Sequence, residues 1–75
     1  LSFFEDLSEN RQIVLIDMYF NLGNRLFKFI NTLAALENKN YNKAANEMLL
    51  SKWSKQVGQR AVTLSNMMRD DIYQV

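Results

Sequence analysis

No proline interrupts the 75 residues of this chain, and its only glycines are Gly23 and Gly58. Proline and glycine are the strongest breakers of helix, so a chain with this little punctuation can be helical over most of its length. No run of alternating apolar and polar residues offers a strand in competition. The pattern predicts an all-α fold: a small multi-helix bundle around a buried central helix, forming a single domain over residues 1–75. A chain of this length buries a modest core, and small folds often add disulfides or a metal. Cys and His are both absent, which excludes disulfides, zinc clusters and His-dependent triads or dyads.

The apolar content of 48% is too high for disorder, and the formal net charge is only +1. No stretch approaches the roughly 20 consecutive apolar residues of a membrane span. Residues 1–10 carry acids and lack the basic start of a signal peptide. The chain opens on Leu1 rather than Met, and Leu1, Phe3 and Phe4 form an apolar cluster that needs a surface to pack on. Both features suggest a piece of a longer protein.

The first long helix is expected over Glu9–Leu22. Ser8 is a good N-cap, Asp6-Leu7-Ser8-Glu9 also fits a capping box, and Gly23 suits the C-cap. On a helical wheel Ile13, Val14, Leu15, Ile16, Met18, Tyr19, Phe20 and Leu22 cover most of the circumference. Asn10, Asp17 and Asn21 share one narrow stripe. A helix apolar on nearly all sides is expected to be enclosed by its neighbours, with that stripe as its only wet edge. Asp17 and Asn21 would then be solvated, cap a neighbouring helix, or serve a site.

Shorter helices are expected over Arg25–Ile30 and over Asn31–Leu36, the latter capped by Asn31 or Thr32. Residues 37–40 read as a polar turn. Asn42 is expected to cap a helix through Leu50 with Ala44, Ala45, Met48 and Leu49 inward. A short helix follows around Trp53 and breaks at Gly58. The last runs from Gln59 to Asp71 with Ala61, Val62, Leu64, Met67 and Met68 apolar, and residues 72–75 pack back or fray.

Glycoside hydrolysis needs two carboxyl groups flanking the scissile bond in a cleft. Glu5, Asp6 and Glu9 stand at a helix start, where acids favour the macrodipole, and Asp70 and Asp71 diverge on adjacent helical positions. No pair among the acids makes an acid–base couple, and two isolated glycines make no phosphate loop. Lys39, Lys43, Lys52, Lys55 and Arg60 face a single acid, Glu47, across residues 39–60. That stretch is either a solvated face or a surface for an anionic partner. Trp53 reads as a core residue or a sugar-stacking one, and the four methionines as core filler.

Several features in order carry a resemblance. The first helix ends in Phe20-Asn21-Leu22-Gly23. Then come Asn31-Thr32-Leu33, the turn Asn38-Lys39-Asn40, and Ala44-Ala45 with Met48 and Leu49. Trp53, Gly58 and Arg60-Ala61 follow, ahead of an amphipathic last helix. From about Phe4 to Tyr73 this resembles the C-terminal lobe of tailed-phage endolysins, the phage-type lysozymes. The resemblance implies the substrate-binding half of a muramidase whose parent hydrolyses the β-1,4 bond between N-acetylmuramic acid and N-acetylglucosamine. No part of the chain matches the family's catalytic Glu, Asp and Thr segment, so the chain alone is expected to be inactive and no catalytic residue is assigned.

The resemblance implies that Asn21 contacts glycan at the cleft and that Phe20 and Gly23 are its packing and turn neighbours. Thr32 would lie at the cleft edge and Trp53, partly buried, at the cleft wall. Arg60 would bind substrate or bridge to the other lobe, while Glu47 stands where the family is often uncharged. No metal or organic cofactor is implied. The implied partners are peptidoglycan glycan and stem peptide together with an N-terminal catalytic lobe. The implied location is the bacterial host cytoplasm with release to the periplasm or cell wall. The competing reading is a non-enzymatic helical module using the basic 39–60 surface for nucleic acid or an acidic protein, with nucleic acid the less favoured partner.

Overall fold

The helices begin where short polar side chains can hold free backbone N–H groups. Ser8 is the N-cap of α1 (Glu9–Leu22), its hydroxyl accepting from the Arg11 amide at 3.3 Å. Asp6 belongs instead to a one-turn 3-10 helix over Phe4–Asp6, so Ser8 and not the alternative capping box sets the start. Gly23 ends α1 with φ +58 and ψ −137, a backbone region open essentially to glycine. The chain then winds through a 3-10 helix (Gly23–Lys28) into α2 (Ile30–Glu37). The longer helices follow as α3 (Tyr41–Leu50), α4 (Lys52–Val57) and α5 (Gln59–Asp70). This computed structural model describes residues 2–74, and among them no strand forms.

Three boundaries differ from the sequence expectation. Asn40, not Asn42, caps α3, its Oδ1 accepting from the Lys43 amide at 3.2 Å. Neither Asn31 nor Thr32 caps α2, because the helix already starts at Ile30 and no side chain caps it. The segment after Gly23 is 3-10 rather than α-helical. The turn between α2 and α3 closes with Lys39 N–H to Leu36 O at 3.0 Å and Asn40 N–H to Ala35 O at 2.8 Å. That is the paired bonding of a Schellman end, and it places Lys39 at φ +60, where glycine is usual.

The core draws Val14, Leu15, Met18 and Leu22 from α1, Leu36 from α2, Ala44 and Met48 from α3, and Leu64, Met67 and Met68 from α5. Helix α5 packs on α1, α3 and α4. Ala44, Ala45, Ala61 and Ser65 are all buried, small side chains that let α3 and α5 approach closely. Leu49, expected to face inward, is more than a third exposed, and so is Val62 among the apolar residues of α5. Phe3 and Phe4 pack against the core as the apolar start required, while Leu1 lies outside the described residues.

Two polar ties set α1 and α5 antiparallel. Ser8 donates to Asp71 Oδ1 at 2.5 Å where α1 begins and α5 ends. Asp17, farther along α1, forms an ion pair with Arg60 in the first turn of α5. Arg11 strengthens the first tie. Its Nε donates to Met68 O at 2.7 Å and its Nη2 to Arg69 O at 3.1 Å, and its guanidinium lies 3.6 Å over the centre of the Tyr41 ring. A cation on the free carbonyls of a helix C-terminus is attracted to the negative end of the macrodipole and stabilises the helix.

Ile16, Tyr19 and Phe20 are exposed, so the polar stripe is not the only wet edge of this helix. The wheel gives the angular spread of apolar groups but not which arc the other helices cover.

Candidate functional site

The polar stripe of α1 divides along its length. Asn10 turns to the helix ends, donating to the Asp71 carbonyl at 3.0 Å. Asp17 holds Arg60. Asn21 stays free of the neighbouring helices: its amide nitrogen donates to Asp17 O at 3.1 Å and reaches Asp17 Oδ1 at 3.3 Å. Those contacts fix the orientation of an exposed amide at the last turn of α1. Beside it Phe20 is 84% exposed. Phe20 was expected to be a packing neighbour of Asn21; it instead projects from the same turn, since the core takes Met18 and Leu22 from either side of it.

Gly23 follows at the positive φ that its turn role required. The bend sends Gly23–Lys28 back over α1, burying Leu26 and setting Phe27 edge-on to Tyr19 at 6.4 Å between ring centres. An open apolar groove of about 220 Å³ runs between them, walled by Phe4, Leu15, Ile16, Tyr19, Leu26 and Phe27.

A second pocket of about 220 Å³ opens on the other side of this bend, against the start of α4. Leu22, Phe29 and Trp53 form its apolar wall, and Arg25, Lys28 and Lys52 stand around it. Arg25 is tethered by weak bonds to Leu22 O at 3.3 Å and Asn21 O at 3.4 Å, the free carbonyls at the end of α1. Trp53 is 3% exposed, more enclosed than the partly buried side chain expected, and meets Phe29 edge-on at 6.4 Å. Its indole N–H has no hydrogen-bond acceptor among the described residues. Such a buried, unanswered donor costs about 1–3 kcal/mol.

Asn21, Phe20 and Gly23 therefore sit together at one end of α1, with Trp53 behind the bend that Gly23 begins. Thr32 does not join them at the surface. It is 2% exposed on the inner face of α2 and acts as packing here. Arg60 is engaged within the chain by Asp17. Arg25 and Lys28, beside the second pocket, lie outside the basic run of residues 39–60. Their signal in the sequence is two cations within five residues of a glycine that ends the first long helix.

Asp17, Asp70 and Asp71 each face an arginine, Arg60, Arg69 and Arg11. Asp71 is drawn below its ordinary pKa chiefly by the Ser8 hydroxyl; desolvation opposes this, and Asn10 and Arg11 add lesser lowering effects. A general acid needs the opposite displacement. No trio of His, Cys, Asp or Glu gathers into a metal site among the described residues. No helix among them is long and apolar enough to cross a membrane.

The family model for phage lysozyme matches residues 3–70. The chain belongs to the phage lysozyme family. Its function is thus lysozyme-like in kind, and peptidoglycan is the substrate the family implies. No curated protein and no solved structure matches the chain significantly. The match starts at Phe3 and ends at Asp70, so it takes in the 3-10 turn of Phe4–Asp6 and all five α-helices of this phage lysozyme relative.

Proposed function

We propose that this chain is the substrate-binding helical lobe of a phage-type lysozyme, engaging peptidoglycan at the end of α1. The observation that carries this reading is the exposed pair Phe20 and Asn21, an aromatic face beside an oriented amide, next to the Gly23 bend. Sugar rings present C–H faces that stack on aromatics and hydroxyl or acetamido groups that hydrogen-bond to amides. Glycan would lie across Phe20 and Asn21, with Trp53 stiffening the wall behind and Thr32 supporting α2 from within. A binding group held on a regular helix keeps its geometry well enough to position a substrate.

Bond cleavage in the parent protein would fall to a catalytic lobe carrying the acid and the charge-stabilising carboxylate, acting on the β-1,4 bond between N-acetylmuramic acid and N-acetylglucosamine. The exposed apolar groups Ile16 and Tyr19 on α1 are the face against which that lobe would rest. The parent would act after release from the host cytoplasm toward the wall. The alternative of a basic binding module is weakened by Arg60, since its pairing with Asp17 takes one of the five cations of residues 39–60 out of play.

Co-sedimentation with purified peptidoglycan sacculi tests the reading. Phe20→Ala and Asn21→Ala should each release the chain from the pellet, whereas Leu50→Ala, which trims an equally exposed apolar group on α3, should not. Equal retention of all three variants would contradict it.

A further inference from the structure

Asn21 is held by contacts that decide which edge of its amide a ligand can meet. Its Nδ2 donates to Asp17 O at 3.1 Å and reaches Asp17 Oδ1 at 3.3 Å. Both partners are acceptors, so the amide turned over would set its own oxygen against two oxygens. The nitrogen therefore faces back along α1, and Oδ1 is left on this exposed side chain with no donor on it among the described residues. The Asp17 carboxylate is itself held from a second helix: its other oxygen, Oδ2, accepts from Nη2 of Arg60 in the first turn of α5. Arg60, Asp17 and Asn21 thus form one line of contacts from α5 across α1 to the corner beside Phe20.

We propose that Asp17 is a positioning residue for the ligand: pinned by Arg60, it keeps the Asn21 amide turned so that its carbonyl oxygen, and not its NH2 group, meets what lies on Phe20. This rests on the reading that glycan lies across Phe20 and Asn21, and it adds the chemistry selected there. An acceptor beside an exposed aromatic face fits a group that donates through N–H and ends in an apolar methyl, which is the form of an acetamido group. A ligand group that only accepts finds the Asn21 nitrogen already engaged. The Asp17 backbone carbonyl supplies one of the two bonds to that nitrogen, and the carboxylate supplies the other. Only the carboxylate is under the control of Arg60.

The test is a titration of the 13C,15N-labelled chain with purified muropeptides and, separately, with triacetylchitotriose, which carries acetamido groups and no peptide. Donation from the ligand to Asn21 Oδ1 should move the Asn21 side-chain carbonyl 13C resonance downfield with both ligands, a signature that a merely structural role for Asp17 would not give. Asp17→Asn keeps the shape of the side chain. Its single oxygen goes to Arg60, so its NH2 group opposes the Asn21 NH2 group and the amide loses its fixed orientation. Muropeptide binding should weaken about threefold to tenfold, as expected for one hydrogen bond, and the carbonyl shift should shrink. Arg60→Ala should weaken binding in the same direction, and Arg60→Lys, which keeps the ion pair, should restore it. Wild-type affinity in both Asp17→Asn and Arg60→Ala, or muropeptide binding at Phe20 without the carbonyl shift, would overturn the proposal and leave the peptidoglycan reading standing. A carbonyl shift with muropeptide but none with triacetylchitotriose would overturn the assignment of the donor to the acetamido group. No binding of either ligand to the wild type would reject the proposal together with the peptidoglycan reading.

Discussion

The hydroxyl of Ser8 donates to Asp71 Oδ1 at 2.5 Å across 63 residues of sequence. One side chain thereby does two jobs, since the same Ser8 oxygen caps α1 by accepting from the Arg11 amide. Asp71 in turn sits in the left-handed region at φ 55 as the C-cap of α5. The start of the first long helix and the end of the last are tied by one small polar cluster, with Arg11 at its centre.

This cluster makes stability depend on acid pH. Asp71 has its pKa lowered in the folded state, chiefly by the Ser8 hydroxyl. A group depressed in this way contributes stability that is fully present above its unfolded value near 3.8 and is lost as pH falls through the folded value. Thermal melts of the wild type should therefore drop in Tm below about pH 4. Asp71→Asn should melt lower than wild type at neutral pH, and the gap between the two should shrink on acidification. A gap that widens in acid would contradict this assignment.

The Asp17–Arg60 pair lies on the partly exposed side of α1 and α5. Pairs of that kind contribute about 0.2–1 kcal/mol. A double-mutant cycle with Asp17→Ala and Arg60→Ala, read by urea unfolding, should return a coupling in that range and should diminish in high salt. Asp17→Ala alone should also remove the longer of the two bonds from the Asn21 amide and leave the one to the Asp17 carbonyl, visible as movement of the Asn21 side-chain resonance.

Lys39 occupies a glycine-type position in the turn after α2. Lys39→Gly removes the steric cost of a left-handed backbone, roughly 1 kcal/mol, and should raise Tm. Gly23→Ala acts in the opposite sense. A new Cβ at Gly23 would meet nothing within 4 Å, so the loss, about 1–3 kcal/mol, is backbone strain alone.

Leu64 is fully buried in α5. Leu64→Ala should cost about 3 kcal/mol, against a total of roughly 4–11 kcal/mol for a chain of this size. Partial loss of helical circular dichroism at 37 °C in this variant would show that the α5 face dominates stability. A Tm unchanged from wild type would show that it does not.

Much of this architecture was legible because local chemistry decides it. Ser8, Gly23 and Gly58 bound their helices as read, since caps and left-handed glycines act within a few residues. Asn40 was missed in favour of Asn42 because both are asparagines one turn from the same apolar face, and only the backbone path out of α2 separates them. The exposure of Phe20 and the duties of Arg11 were not legible for another reason. Each depends on which distant helix arrives, and periodicity along one helix carries no record of that. Asn21 and Gly23 lie together at the end of α1, whereas Thr32 faces inward.

The central claim, that glycan meets this lobe at the end of α1, is tested most directly by a 1H–15N titration of the chain with purified muropeptides. The account predicts shifts centred on Phe20, Asn21 and Gly23, with Asn21→Ala abolishing them while the rest of the spectrum stays folded. An unchanged spectrum at millimolar muropeptide, or shifts confined to Lys39, Lys43 and Lys55, would contradict it.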